Sequence, residues 1–291
     1  MTAYLLPLWT PPSLPVFGRE ERFPIRRVFC IGRNYADHVR EMGGDPDRGQ
    51  PIFFMKPADA ILGDNAALPY PSATADLHHE VELVAALGRD LKPLAYAVGL
   101  DMTRRDRQGE AKKTATPWEI GKAFEGSGLC APLMPTADWQ GPRSERIHLE
   151  VNGETRQDGR LDQMVWTMEE ILEELQARFT LKPGDLVFTG TPAGVGPVVR
   201  GDRRAAGGAL PPVARWPAWA GSPCCWPGPC RQPLPAAPVS RGCCCGGRRP
   251  AGWYGPCTMP CPGGAILLSR REPVAVMYCH QVAVVSLMCL M

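Results

Sequence analysis

Three carboxylates in the first half of the chain have the types and spacing needed to hold a metal ion. Glu80 and Glu82 are two residues apart in the segment EVELVAAL, and positions i and i+2 of a strand share a face. The next strand-like segment, 95–100, ends at Asp101, which offers a third carboxylate. Three such oxygen ligands with room for water suit a hard cation such as Mg²⁺. The alternative is a solvated strand face, on which a Glu-x-Glu pair binds nothing.

A histidine and a glutamate form a second candidate group. His38 and Glu41 are three apart in the segment YADHVREM, whose composition predicts a helix, so their side chains meet on one face. A carboxylate beside an imidazole is a common way to make a general base near neutral pH. On spacing alone, an ordinary surface ion pair is the favoured interpretation.

Two other segments carry weaker signals. His78 and His79 directly precede Glu80, and either imidazole could be a metal ligand, support a ligand or face solvent. The glycine-rich run TGTPAGVG (189–196) lacks the Gly-Lys-Ser/Thr ending of a phosphate loop. It is more typical of a tight turn whose backbone approaches a ligand closely.

The elements that must position these residues are mainly strands. Apolar and β-branched runs predict strands at 27–31, 51–55 and 186–189, and Asn152-Gly153 after IHLEV predicts a hairpin. Helical spacing of apolar residues predicts the longest helix at 168–179. We therefore expect a mainly β (α+β) domain with few short helices.

Composition divides the chain near residue 202. Of 30 acidic and 32 basic residues, all but Glu272 and nine arginines precede Arg203, and only Cys30 and Cys130 of the 12 cysteines do. An acidic segment with two separated cysteines and no leader-like start predicts a cytoplasmic protein without a disulfide framework. The same segment has no basic stripe, so no nucleic-acid partner is expected.

The remainder, 203–291, is rich in Pro, Arg, Gly and Cys and has no hydrophobic periodicity. We interpret it as disordered or as the product of a frameshifted or otherwise disrupted gene end. Its CC and CCC runs lack zinc-site spacing. Pro273–Met291 is apolar, but it is short for a membrane span and contains His280 and Gln281, so no membrane anchor is predicted.

Several blocks of the sequence occur in the order found in the fumarylacetoacetate hydrolase superfamily, which the chain resembles from about residue 10 to Asp202. The resemblance is greatest to bacterial fumarylpyruvate hydrolases and acylpyruvases. The blocks that carry it are GRNY (32–35) with His38 and Glu41, FMKP (54–57), HEVEL (79–83), DMTRRDRQ (101–108), GKAF (121–124), VNGE (151–154) with RQ (156–157), KPGD (182–185) and TGTPAGVG (189–196).

The resemblance implies a mixed β-sandwich roll, with an N-terminal extension over 1–26, a catalytic domain over 27–202 and the atypical tail over 203–291. It implies Mg²⁺ or Mn²⁺ as cofactor, a small-molecule substrate and a homodimer. The implied roles are as follows: Glu80, Glu82 and Asp101 bind the metal; His38 and Glu41 activate water; Lys122 and Gln108 stabilise the oxyanion; Arg33, Lys56 and Thr191 contact substrate carboxylates.

The implied reaction is hydrolysis of a carbon–carbon bond in a 2,4-dioxo acid such as fumarylpyruvate, giving pyruvate and a second acid. Oxaloacetate decarboxylation by the same residues is one alternative, and an inactive product of a damaged gene is another. The sequence departs from the family in two places. The segment between Arg89 and Tyr96 is about ten residues shorter than in relatives, and the residues after Asp202 do not match the family's last strand.

Overall fold

The computed structural model describes residues 2–63, 66–139, 141–208 and 214–216. These residues all belong to the first of the two units into which the chain divides, Met1–Cys230. The predicted tail therefore lies mostly outside the described residues. No helix among the described residues is long and apolar enough to cross a membrane.

Seventeen strands and four short helices make up the described part of the chain. The strands are β1 (Ser13–Pro15), β2 (Arg22–Pro24), β3 (Arg27–Gly32), β4 (Ile52–Lys56), β5 (Ile61–Leu62), β6 (Leu77–His79), β7 (Val81–Leu87), β8 (Pro93–Asp101), β9 (Thr103–Arg104), β10 (Gly128–Cys130), β11 (Met134–Pro135), β12 (Arg146–Val151), β13 (Glu154–Arg160), β14 (Asp185–Phe188), β15 (Gly196–Val198), β16 (Arg204–Gly208) and β17 (Ala214–Trp216). The helices are α1 (Ala36–Glu41), α2 (Arg105–Thr114), α3 (Glu119–Lys122) and α4 (Met168–Gln176), and two 3₁₀ turns occupy Ala58–Ala60 and Leu161–Gln163. The predicted mainly β class with few short helices is confirmed.

One large mixed sheet forms the centre of the fold. Its order is β4-β3-β14-β7-β8-β10-β5, and β11 also pairs with β8. The β3–β14 and β5–β10 pairs are parallel, and the others are antiparallel. Every residue of β7 is buried, so neither face of this strand is exposed to solvent. This burial places Glu82 in the interior.

The short connection between β7 and β8 is a tight turn. Gly88 N donates to Lys92 O at 2.8 Å, and Leu91 takes a positive φ of 61°. The two strands then pair from Leu87 and Pro93 down to Val81 and Leu100. Shortening this segment therefore leaves the alignment of Asp101 with β7 intact.

The hairpin predicted at Asn152-Gly153 is present between β12 and β13, with Val151 opposite Glu154. Together with β16 and β17, these strands form a second sheet, in the order β13-β12-β16-β17. The expectation that the chain loses the family's last strand after Asp202 is wrong in this respect. Arg204–Gly208 pairs with β12 over five positions, and the buried Ala206 lies opposite Leu149.

A second correction concerns the helices. The longest is α2, with ten residues, and α4 has nine. The sequence of α2, RDRQGEAKKT, contains a single apolar side chain and a glycine, so it has no apolar periodicity to indicate a helix. Helix α4 begins at Met168, as predicted. Thr167 caps it by accepting from Glu170 N, and Thr167 N donates in turn to the Glu170 carboxylate.

Candidate active site

The predicted metal carboxylates meet at one end of the β7–β8 pair. Asp101 N donates to Glu80 O at 2.8 Å, which sets these two residues opposite each other. Glu82 lies opposite Gly99, so no side chain competes with it on that face. Oxygens of Glu80, Glu82 and Asp101 lie within 4.8 Å of one another, and all three residues are buried.

Basic groups compensate two of the three carboxylates. Lys122 Nζ, which is also buried, donates to Glu80 Oε2 at 2.7 Å, to Asp101 Oδ2 at 2.6 Å and to Thr103 Oγ1 at 2.7 Å. Arg105 NH2 donates to Glu80 Oε1 at 2.5 Å. Burial alone would raise the pKa of Glu80, but Lys122 and Arg105 outweigh it and hold this pKa well below its usual value.

Glu82 has a different environment. Its Oε2 accepts only the backbone N–H of Gly190, at 2.8 Å, and it makes no ion pair with any described residue. Burial, and then the charges of Asp101 and Glu80, raise its pKa well above the usual value. Of the three carboxylates, Glu82 therefore has the most to gain from a bound cation.

The predicted dyad faces this cluster from α1. His38 Nδ1 lies 3.2 Å from Glu41 Oε2, and Glu41 Oε1 accepts from Gly194 N at 3.0 Å. Burial lowers the pKa of His38, and the neighbouring Glu80 and Glu41 restore it only in part. The imidazole is therefore neutral at pH 7 and can accept a proton.

The other sequence candidates lie at or next to this cluster. The Gln108 carbonyl accepts from Arg105 NH1 at 2.7 Å. The Thr191 hydroxyl donates to Val81 O at 2.8 Å. The cavity between α1 and the sheet opens to solvent. It is lined by eight of the candidates: Arg33, His38, Glu80, Glu82, Asp101, Gln108, Lys122 and Thr191.

Lys56 differs from its predicted role. Its ammonium group contacts Asp101 Oδ1 at 2.8 Å and donates to the carbonyl oxygen of Lys122, and its side chain is not part of the cavity lining. In this arrangement it balances charge beneath the cavity.

Sequence reasoning assigned no role to several residues that hold the site together. Asn34 Nδ2 donates to Thr189 O at 2.7 Å, and Asn34 Oδ1 accepts from Trp166 N at 2.7 Å. Gln157 Oε1 accepts from Val81 N at 2.9 Å, and Gln157 Nε2 donates to Thr191 Oγ1 at 2.8 Å. No local pattern marks such long-range amide contacts. Arg105, however, could have been found, since it follows Asp101 by four residues where a strand gives way to a helix.

His78 and His79 prove to have structural contacts. His79 Nδ1 lies 3.0 Å from Gln157 Oε1, and burial lowers the pKa of His79 to about 4. His78 lies between Asp76 and Arg105. Neither belongs to the carboxylate cluster.

Comparisons with known proteins agree with this fold. Residues 27–218 match the family model described as fumarylacetoacetate (FAA) hydrolase C-terminal. Over 191 residues, 62% of this chain and 87% of the relative, the chain is 39% identical to the Escherichia coli oxaloacetate tautomerase YcgM. It is 37% identical to the mitochondrial oxaloacetate tautomerase FAHD1 of Bos taurus, over 62% of this chain and 86% of that protein.

A solved structure, the Pseudomonas aeruginosa fumarylpyruvate hydrolase in complex with Mn²⁺ and pyruvate, superposes with a TM-score of 0.72. It is 44% identical and covers 75% of this chain and all of that one. The fold and site therefore define an enzyme-type domain of the fumarylacetoacetate hydrolase kind. The chain belongs to the fumarylacetoacetate hydrolase family.

Proposed function

We propose that this protein is a divalent-metal-dependent hydrolase of small acylpyruvates such as fumarylpyruvate, releasing pyruvate and a carboxylic acid. The observation that carries the proposal is one cavity with an oxygen-only carboxylate cluster on its floor and the His38 imidazole, paired with Glu41, facing it. The similarity to a fumarylpyruvate hydrolase that binds Mn²⁺ and pyruvate supports it.

The residues fit a hard divalent cation. Glu80, Glu82 and Asp101 offer carboxylate oxygens and no sulfur or imidazole, which suits Mg²⁺ or Mn²⁺. When bound, such an ion would orient and polarise the 2-oxo acid end of the substrate. Lys122 and Arg105 hold Glu80 ionised and ready to act as a ligand.

His38 supplies the general base. Its neutral imidazole takes a proton from a water molecule in the cavity, and Glu41 stabilises the imidazolium that forms. The backbone N–H of Gly194 fixes the Glu41 carboxylate, so the pair keeps its orientation.

Gln108 is the group best placed to support the developing oxyanion. The three protons of Lys122 are already donated to Glu80, Asp101 and Thr103. Gln108 accepts from Arg105 through its carbonyl, which leaves its NH₂ for the substrate. The hydroxide formed at His38 attacks the acyl carbonyl, and the carbon–carbon bond to the pyruvate unit breaks. The His38 imidazolium then returns its proton to C3 of the departing pyruvate enolate, which gives pyruvate and restores the neutral imidazole.

A second function, oxaloacetate tautomerisation, is favoured by the two curated relatives at 37–39% identity. It needs a proton moved between carbon and enol oxygen without attack by water.

The expected homodimer and cytoplasmic location stay predictions, which sedimentation velocity and fractionation of the source cells would check.

The test uses the purified full chain and two substrates. We expect fumarylpyruvate to lose its enol absorbance with Mg²⁺ or Mn²⁺, and excess chelator to stop the reaction. His38→Ala should abolish hydrolysis, and His148→Ala on β12, outside the cavity lining, should not. A larger kcat/KM for enol–keto conversion of oxaloacetate, with no cleavage of fumarylpyruvate, would instead establish the tautomerase.

A further inference from the structure

The cavity floor and its mouth differ in how their charges are matched. On the floor, Glu80 and Asp101 are ion-paired with Lys122, Arg105 and Lys56. Glu82 makes no ion pair with any described residue, so the floor presents a cation site.

The mouth carries two cations with no acidic partner. Arg33 and Lys112 both line the cavity and are exposed, and neither forms an ion pair with any residue that the structure describes. Arg33 also holds a positive φ of 61°, an uncommon conformation for a non-glycine residue. Two unpaired cations beside one opening form a site for an anion.

An aromatic wall joins the two ends. Lys122 Nζ lies 5.1 Å from the centroid of the Phe54 ring. Phe54 and Trp118 are 6.0 Å apart between centroids, and Lys112 Nζ lies 5.4 Å from the Trp118 ring. Both rings are half-buried and line the cavity. A flat, conjugated chain that starts at the floor and follows this wall ends at Lys112.

We propose that Lys112 is a specificity-determining residue that binds a carboxylate at the far end of the substrate. The Trp118 ring lies at cation–π distance from the ammonium group, and Arg33 adds positive charge at the same opening. The preferred substrates are then acylpyruvates whose acyl group is itself an acid and is planar. This inference rests on the proposed function, which places the 2-oxo acid end at the floor.

Binding of unreactive analogues tests the proposal without relying on turnover. The probes are 2-oxoheptanedioate and 2-oxoheptanoate, which match in length and differ by the distal carboxylate. Calorimetry on the full chain with saturating Mg²⁺ compares wild type, Lys112→Met, Lys112→Arg and Lys113→Met. Lys113 is the matched control, because it is the next residue of α2, is exposed and does not line the cavity.

We expect wild type to prefer the dicarboxylate by about ten-fold or more, as for a charge-assisted contact. Lys112→Met should lose that preference and leave the affinity for the monocarboxylate within about two-fold. Lys112→Arg and Lys113→Met should keep it.

An unchanged preference in Lys112→Met, or an equal loss in Lys113→Met, would overturn the proposal. If the protein shows a Lys112-dependent preference and cleaves no acylpyruvate, the proposed function fails and the anion site stands. If it cleaves fumarylpyruvate and Lys112→Met shows the same preference as wild type, only the anion site fails.

Discussion

At the residue scale, the three floor carboxylates are not equivalent. Glu80 and Asp101 are tied to Lys122, whereas Glu82 is held by one backbone N–H. The fold thus fixes Glu80 and Asp101, and Glu82 completes the ion site. Removal of the Glu82 carboxylate should affect ion binding more than folding.

Metal addition should therefore stabilise the protein through Glu82. At about 100 times its Kd, a ligand of the folded state contributes about 2.7 kcal/mol, or roughly 5–10 °C in Tm for a domain of this size. We expect this rise with Mn²⁺ in wild type and in Glu169→Gln, an exposed control on α4, and no rise in Glu82→Gln. A full rise in Glu82→Gln, measured by scanning calorimetry, would remove Glu82 from the ligand set.

The His38–Glu41 pair predicts the acid side of the pH profile. Because burial lowers the pKa of His38, kcat/KM should fall only below about pH 6.5, the usual pKa of histidine. Glu41 and Glu80 raise the His38 pKa and Arg105 lowers it, so Glu41→Gln should move the acid limb to still lower pH. The variant should also lower kcat/KM about ten-fold or more. An acid limb that moves to higher pH in Glu41→Gln would refute the assignment of this limb to His38.

At the element scale, the loop that follows β14 positions both Glu82 and the His38–Glu41 pair. Gly190 N holds Glu82, and Gly194 N holds Glu41. Gly194 has φ +96°, and an added Cβ would lie 2.1 Å from Arg156 O. Only glycine fits this close approach.

The substitution Gly194→Ala should therefore lower both the free energy of unfolding and kcat/KM. A matched control is Gly153→Ala, whose φ is +85° but whose added Cβ meets nothing within 4 Å. We expect the control to lose about 1–2 kcal/mol of unfolding free energy from backbone strain alone. Gly194→Ala should lose more than that and also lower kcat/KM. Equal losses of stability in urea titrations, with unchanged activity, would contradict a close-packed loop.

The sequence predicted the elements whose signals are local. The Glu-x-Glu pair and the Asn-Gly turn each lie within a few residues, and the structure has both where expected. The contacts of Asn34 with Thr189 and of Gln157 with Val81 span 155 and 76 residues, so no local pattern predicts them. Helix α2 was not predicted, because its sequence has no apolar stripe and packing stabilises it instead.

At the scale of the whole molecule, the second sheet depends on β16. This strand pairs with β12 at five positions, from Ile147 opposite Gly208 to Val151 opposite Arg204. The predicted domain boundary at Asp202 would remove that pairing. The family model instead extends to residue 218.

Truncated chains distinguish a domain that ends at Asp202 from one that extends to residue 218. A chain ending at Asp202 should be less stable than the full chain by roughly 3 kcal/mol or more, because each buried backbone group left unpaired costs about 1–3 kcal/mol. A chain ending at Cys230 keeps the whole first unit and should match the full chain in urea midpoint and in activity. Equal midpoints for all three chains would show that β16 adds nothing to stability.

The parallel pairing of β3 with β14 has a consequence for synthesis. Arg27 pairs with Asp185, 158 residues later, so the first strand of the central sheet leaves the ribosome long before its partner. At about 5–20 residues per second, that interval is roughly 8–30 s. During it the apolar run VFCI has no neighbour on that side, and the nascent chain is open to chaperones and to aggregation. By contrast, the residues after Trp216 are translated after every strand described here. By then all the strands of the central sheet have already been synthesised.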